Sequence, residues 1–296
     1  MLGHGLGIGV VDADFVGDSV ERHDRAVTEI EAAYDVVTLG QLRLRTVTYG
    51  DGRPEIVMLH DGLGSIPQWR SVPAGVAAAT GATVLAYERA GHGASTPVPD
   101  GPWPTDWLHQ EAEVFDRFLD ELGIDDAFVV GHSDGGSIAL IHAATAGGGG
   151  TMRKARGVLA IAPHSWVEDI CHESIVGMRA ARQPIETGLA RHHAAPEAVF
   201  EAWSGVWVSE AFRSWDIRPM LSAIDVPTVI AQGAEDAYAT DDQAVLTAEA
   251  VGPNGSWRLL DGLGHIAHHD DADAIVALIA DVFASLADGS GGSQSA

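Results

Sequence analysis

The sequence predicts an α/β protein built on a doubly wound, mostly parallel sheet. Three observations lead there. Apolar runs at 56–59, 82–87, 127–130, 158–161 and 226–231, with a weaker one at 257–260, alternate with helix-length segments. The runs are continuous rather than alternating, as in strands covered by helices on both faces. One interval, 164–224, interrupts the rhythm and holds only helical patterns rich in large side chains.

The elements follow in order. Residues 1–34 form a polar, glycine-bearing extension, in which 19–34 fits a short amphipathic helix. "DVVTLG" and "LRLRTVTYG" read as two strands in a hairpin-like arrangement closing at Gly50-Asp51-Gly52. Over 104–122, Leu108, Ala112, Phe115, Leu119 and Leu122 recur at steps of four and three, with Val114 and Phe118 widening the apolar face. Gly123 is a suitable C-cap for that helix. The last helix, 271–287, carries Ile275, Leu278, Ile279, Val282 and Phe283. Trp166, Phe200, Trp203, Trp207, Phe212 and Trp215 all fall within 164–224, so half of the eight tryptophans sit in one interval. A helical insertion over the sheet is expected there. The division is then an extension (1–34), a core (35–163 and 225–288), the insertion (164–224) and a flexible tail (289–296).

A chain of 296 residues with 46% apolar content has enough material for one large packed core. No run approaches the ~20 apolar residues that span a bilayer. The first residues lack the basic start and apolar block of a secretory signal. The single cysteine, Cys171, excludes an internal disulfide. A cytoplasmic protein is expected. The formal charge is −25, and Lys154 is the only lysine. Such a field repels nucleic acid and anionic membranes and disfavours a polyanionic substrate. The expected partner is a small molecule, with no cofactor and no metal. Oligomeric state is open between monomer and homodimer.

The chemistry-bearing stretch is "FVVGHSDGGSIAL". Gly131-His132-Ser133-Asp134-Gly135 matches G-x-S-x-G, with a strand-like run before it and a helix-like run after it. A sharp strand-to-helix turn lifts the serine hydroxyl off the sheet, and the glycines relieve the crowding. A base is then required. His265 follows a strand-like run and a Gly-Leu-Gly turn, which places it at the sheet edge expected for Ser133. Asp236 follows another strand and can fix the imidazole tautomer. Glu235, Asp241 and Asp242 are its rivals, and His268 and His269 are rivals of His265. For an oxyanion, the amide of Asp134 is one donor, and Gly62 or Leu63 in "LHDGLGS" supplies the other. His132, Asp61, Trp166, Trp203 and Trp207 are candidates to line the substrate pocket.

"LHDGLGS", "YERAGHGAS", "GHSDGGSIAL", "APHSWVED", "AQGAEDAYAT" and "LGHIAHHDDADAI", in that order, make residues from about 40 to 287 resemble an α/β-hydrolase. The resemblance implies an eight-stranded sheet, a helical lid inserted after the sixth strand, and a Ser133–Asp236–His265 triad. Ser133 stands where epoxide hydrolases and haloalkane dehalogenases of this fold carry an aspartate, so those chemistries are disfavoured. His60-Asp61-Gly62 replaces the commoner His-Gly pair, which leaves the oxyanion donor open by one residue. The implied activity is hydrolysis of a small, mostly uncharged carboxylic ester. The same machinery acting on a thioester, lactone, peptide or C–C bond, a lyase, and a slow or non-catalytic ligand-binding receptor are the alternatives.

Plainer readings accompany several residues. Asp134 suits the first turn of a helix on dipole grounds alone. Lid aromatics pack against one another by default. His265 and His269 have the i, i+4 spacing of helical metal ligands, but the triad already accounts for that segment. Arg179, Arg182, Arg191, Arg213 and Arg218 have acidic neighbours, so surface pairing outranks substrate anchoring.

Overall fold

A computed structural model describes residues 30–97, 101–149, 152 and 155–287. Its sheet has eight strands in the order β1-β2-β4-β3-β5-β6-β7-β8. β1 (Ala32–Leu39) and β2 (Leu42–Tyr49) pair antiparallel, and β2 runs antiparallel to β4 (Val84–Tyr87). β3 (Ile56–Leu59), β4, β5 (Phe128–His132), β6 (Gly157–Ile161), β7 (Thr228–Gly233) and β8 (Gly255–Leu260) are parallel to one another. β3 through β6 are buried along their whole length, which explains their unbroken apolar character.

Helices cover both faces. On one face α1 (Val72–Thr80) packs beside α10 (Ala272–Ala287) over Met58, Val130, Leu159 and Ile161. On the other, α2 (Trp107–Glu121), α3 (Asp134–Gly147) and α8 (Asp242–Val251) enclose Val57, Leu59, Val129 and Ile230. Between β6 and β7 lie α4 (Asp169–Ala180), α5 (Arg182–Leu189), α6 (Pro196–Trp207) and α7 (Arg218–Leu221). A short α9 (Ala267–Asp270) precedes α10. Among the described residues, no helix is long and apolar enough to cross a membrane.

Two expectations change. The hairpin closes at Gly40-Gln41, between paired Leu39 and Leu42, not at Gly50-Asp51-Gly52. Gly40 has φ 63°, which lets a two-residue turn suffice, while the 50–52 segment leads on from β2 toward β3. The helical reading of 19–34 falls mostly outside the described residues. Its last three residues, 32–34, are the start of β1, paired with 47–49 of β2. The tail at 289–296 also lies outside them.

Candidate active site

Ser133 stands between β5 and α3 with φ 52° and ψ −119°. A residue with a Cβ pays roughly 1–3 kcal/mol for such a conformation. The flanking glycines are required by close approach. A Cβ on Gly131 would lie 2.2 Å from the Gly135 oxygen, and one on Gly135 would lie 2.2 Å from the Leu59 oxygen. The Ser133 amide donates to Ile161 O at 2.8 Å, which ties the turn to β6.

The three polar residues singled out in the sequence meet there. Ser133 Oγ is 2.9 Å from His265 Nε2, and His265 Nδ1 is 2.7 Å from Asp236 Oδ2. With the Nδ1 proton directed at the carboxylate, Nε2 is free to accept from the serine hydroxyl. Asp236 is further held by Gln232 Nε2 at 2.7 Å and by the Tyr238 amide at 2.7 Å. Burial acts to raise the Asp236 carboxyl. The charge and hydrogen bond of His265, with the Tyr238 amide, outweigh it and keep the group below its ordinary value. None of the rival residues enters this chain of contacts. His269 Nε2 faces Gln68 O at 3.0 Å, and the ring of His268 packs 4.9 Å from that of Trp69. Because α9 begins only at Ala267, His265 and His269 do not share a helix face. No set of three His, Cys, Asp or Glu side chains among the described residues is arranged to hold a metal.

The loop after β3 supplies backbone amides. The Asp61 main-chain oxygen accepts from Arg89 Nη2 at 2.7 Å and from His60 Nδ1 at 2.8 Å. His60 Nε2 in turn accepts the Arg89 amide at 3.0 Å. The peptide is trans, so the Gly62 N–H points away from Arg89 and His60. The Leu63 amide is engaged differently and donates to Asp61 Oδ1 at 3.0 Å. Gly62, rather than Leu63, is thus the better placed donor of the two. The Asp134 amide opens α3 and has no acceptor within its own helix.

A cavity of about 90 Å³ opens on Ser133 and His265. Asp61, Trp203 and Trp207, named as pocket candidates, are in its wall, and so are Gly62, Leu63 and Asp134, named as amide donors. Two candidates are not. His132 precedes the turn and faces away, into a separate niche with His60, Trp69 and His268. Trp166 pairs with Asp216 across the two ends of the helical interval, with the Arg218 guanidinium 4.2 Å above its ring. His164, Cys171, Ile175, Met178, Tyr238 and Ile266 complete the wall, and none of them is a candidate in the sequence. Cys171, Ile175 and Met178 recur at steps of four and three, the signal of one α4 face, and this could have found them.

Several wall groups are electrostatically perturbed. Burial pushes the Asp134 carboxyl up to about 7, Asp61 adds to that, and Arg89 opposes it. Its Oδ2 accepts from the Trp203 indole at 2.9 Å. Burial and the neighbouring His265 lower His164 to about 3, so it is neutral. Burial raises the Cys171 thiol well above its ordinary value, so it stays protonated.

Asp134 gives a prediction on stability. The folded carboxyl titrates near 7, above the ordinary value near 4, so between those limits the folded state holds the extra proton. Its contribution is full below pH ~4 and is lost as pH rises through 7. Asp134→Asn should therefore lose less melting temperature than wild type between pH ~5 and ~8, by a few degrees in a thermal scan.

These features can be set beside known proteins. A family model described as "Alpha/beta hydrolase family" matches residues 56–278. An acetyltransferase component of an acetoin cleaving system from Cupriavidus necator is 34% identical over 116 residues. That match covers 39% of this chain and only 29% of the relative, so the chain spans less than a third of its length. Among solved structures, VinJ shares 22% identity at TM-score 0.64, covering 86% of this chain and 99% of that one. The enol-lactonase from Burkholderia xenovorans shares 20% identity at TM-score 0.63, covering 84% of this chain and 100% of that one. At such identities the structural likeness concerns the fold. The family model spans three quarters of the chain, including the loop after β3, the serine turn and the aspartate and histidine loops, and the chain belongs to the alpha/beta hydrolase family.

Proposed function

We propose that the chain is a serine hydrolase that cleaves a small, mostly uncharged carboxylic ester through an acyl-enzyme. The observation that carries this reading is the hydrogen-bonded series Ser133–His265–Asp236, opening on a small cavity. Ser133 Oγ attacks the ester carbonyl while His265 Nε2 takes its proton. The carbonyl oxygen becomes an oxyanion facing the amides of Asp134 and Gly62. Collapse expels the alkoxide, to which His265 returns the proton. Water then attacks the acyl-enzyme, with His265 again as base, and frees the acid and Ser133. Asp236 keeps the tautomer and stabilises the imidazolium. The interval 164–224 acts as a lid, with Trp203 and Trp207 over the cavity.

Cavity size favours short acyl groups. Turnover of p-nitrophenyl esters should peak between acetyl and butyryl and fall by at least about tenfold at octanoyl. Rapid-quench mass spectrometry should find the acyl group on Ser133, which a lyase would not carry. Wild type and Ser133→Ala that are equally inactive on all esters, while a ligand still binds, would favour the receptor alternative and sink the proposal.

The charge state of Asp134 should be visible in the rate. A carboxylate beside a forming oxyanion opposes it, so kcat/KM should fall as pH rises through about 7. Asp134→Asn keeps the amide and should remove that fall, giving a gain of about tenfold at pH ~8.5. An unchanged profile in the variant would show that the carboxyl does not act on the oxyanion.

A further inference from the structure

Three segments meet beside the proposed reacting groups: the loop after β3, the end of β5, and the loop before α9. Asp61 and His132 join them. Asp61 Oδ1 accepts from the Leu63 amide at 3.0 Å, and its Oδ2 lies 3.5 Å from His132 Nδ1. The opposite ring nitrogen, His132 Nε2, donates to the main-chain oxygen of His265 at 2.8 Å. We propose that the His132–Asp61 pair is a brace that fixes the His265 imidazole against the loop carrying the Gly62 amide. His132 is then a positioning residue rather than a group that meets substrate. The proposal rests on the reading of His265 as the base.

The chemistry of the donors supports it. Both nitrogens of His132 face acceptors, a carboxylate at 3.5 Å and a carbonyl at 2.8 Å, an arrangement that favours the doubly protonated ring. Burial acts against that charge, but the Asp61 hydrogen bond and charge overcome it and raise His132 above its ordinary value. Asp61 is held well below its own, against burial, by the hydrogen bond and charge of the same partner. Other titratable groups around the ring do not compete for the proton. His60 and His268 are lowered well below their ordinary value by burial, and His269 is lowered too. Asp236 adds an attractive charge from the far side of His265. The rings of Trp69, His265 and His268 enclose His132, which is 1% exposed, so water is kept from the His132 side of the pair.

The loop is built around this carboxylate. A Cβ on Gly64 would lie 2.5 Å from Asp61 Oδ1, so a glycine is needed where the side chain folds back. The partner of the Asp61 side chain is the residue just before Ser133. Losing the pair frees the His265 backbone from one of its anchors. Misplacement of a base by about 1 Å costs on the order of 100-fold in rate.

The test has two arms. Long-range 1H–15N spectra of the histidine rings, followed through a pH titration of wild type, should show a ring that keeps both protons to higher pH than a free imidazole, and that signal should vanish in His132→Gln. His132→Gln and Asp61→Asn should each lower kcat by about 10- to 100-fold with KM within about threefold of wild type. The double variant should be no worse than the poorer single one, because both remove the same contact. A His132 ring that loses its proton no later than a free imidazole, a His132→Gln variant with wild-type kcat, or additive losses would overturn the brace. Inactivity of wild type on every ester would instead overturn the hydrolase reading, and the spectra of wild type would still decide the brace.

Discussion

Replacing Ser133 with alanine is expected to lower kcat by at least about 10⁴-fold while leaving the fold in place. The substitution deletes one oxygen, which contacts His265 Nε2 at 2.9 Å and faces the cavity. No other described side chain bonds the Nε2 atom that would serve as base, so nothing replaces the nucleophile. What survives is rate enhancement from binding and the backbone amides, which in serine hydrolases leaves a small residue of activity over water. The backbone strain at φ 52° is common to Ser and Ala and does not change. Unfolding in urea should shift by less than about 1 kcal/mol. A burst-free time course with a matched melting curve is the expected result; activity within tenfold of wild type would place the nucleophile elsewhere.

The second large effect concerns Gly135, two residues on. Gly135→Ala is expected to destabilise the protein by more than about 4 kcal/mol. The new Cβ would lie 2.2 Å from Leu59 O and 2.6 Å from His60 O, both of them backbone atoms of β3 and its loop that cannot rotate aside. Relief requires α3 to withdraw from β3, which opens the packing of buried Ile138, Leu140 and Ile141. The same movement carries Ser133 away from His265. Gly177→Ala is the control, because that exposed position in α4 has open space around it. There the helix should gain about 0.5–1 kcal/mol. Urea unfolding of both variants measures the contrast, and similar small shifts would show that close approach is not what Gly135 provides.

The reach of the sequence is clearest where a local pattern has one physical cause. Continuous apolar runs marked β3, β5 and β6 because both faces of those strands are buried. Ser133, His265 and Asp236 were legible because each follows a strand at a glycine-bearing turn, and parallel strands bring such turns to one edge. The hairpin turn was misread because Gly50-Asp51-Gly52 is richer in turn residues than Gly40-Gln41, although the register chose the latter. The start of β7 slipped from 226 to Thr228 because Pro227 carries no N–H for a ladder, and pairing begins one residue later. The assignment of His132 to the pocket took adjacency for shared direction. Side chains alternate along β5, so the residue before Ser133 faces the other way. The far wall of the cavity comes from α4 through Cys171, Ile175 and Met178, whose spacing marks one helix face but not what that face covers.

The proposed chemistry requires one atom, Ser133 Oγ, to act as a nucleophile activated by His265. Labelling with a fluorophosphonate, followed by peptide mapping, tests this most directly. One adduct per chain is expected, on Ser133, absent from Ser133→Ala and formed at least about 100-fold more slowly in His265→Gln. An unlabelled wild-type protein, or an adduct on any other residue, would contradict it.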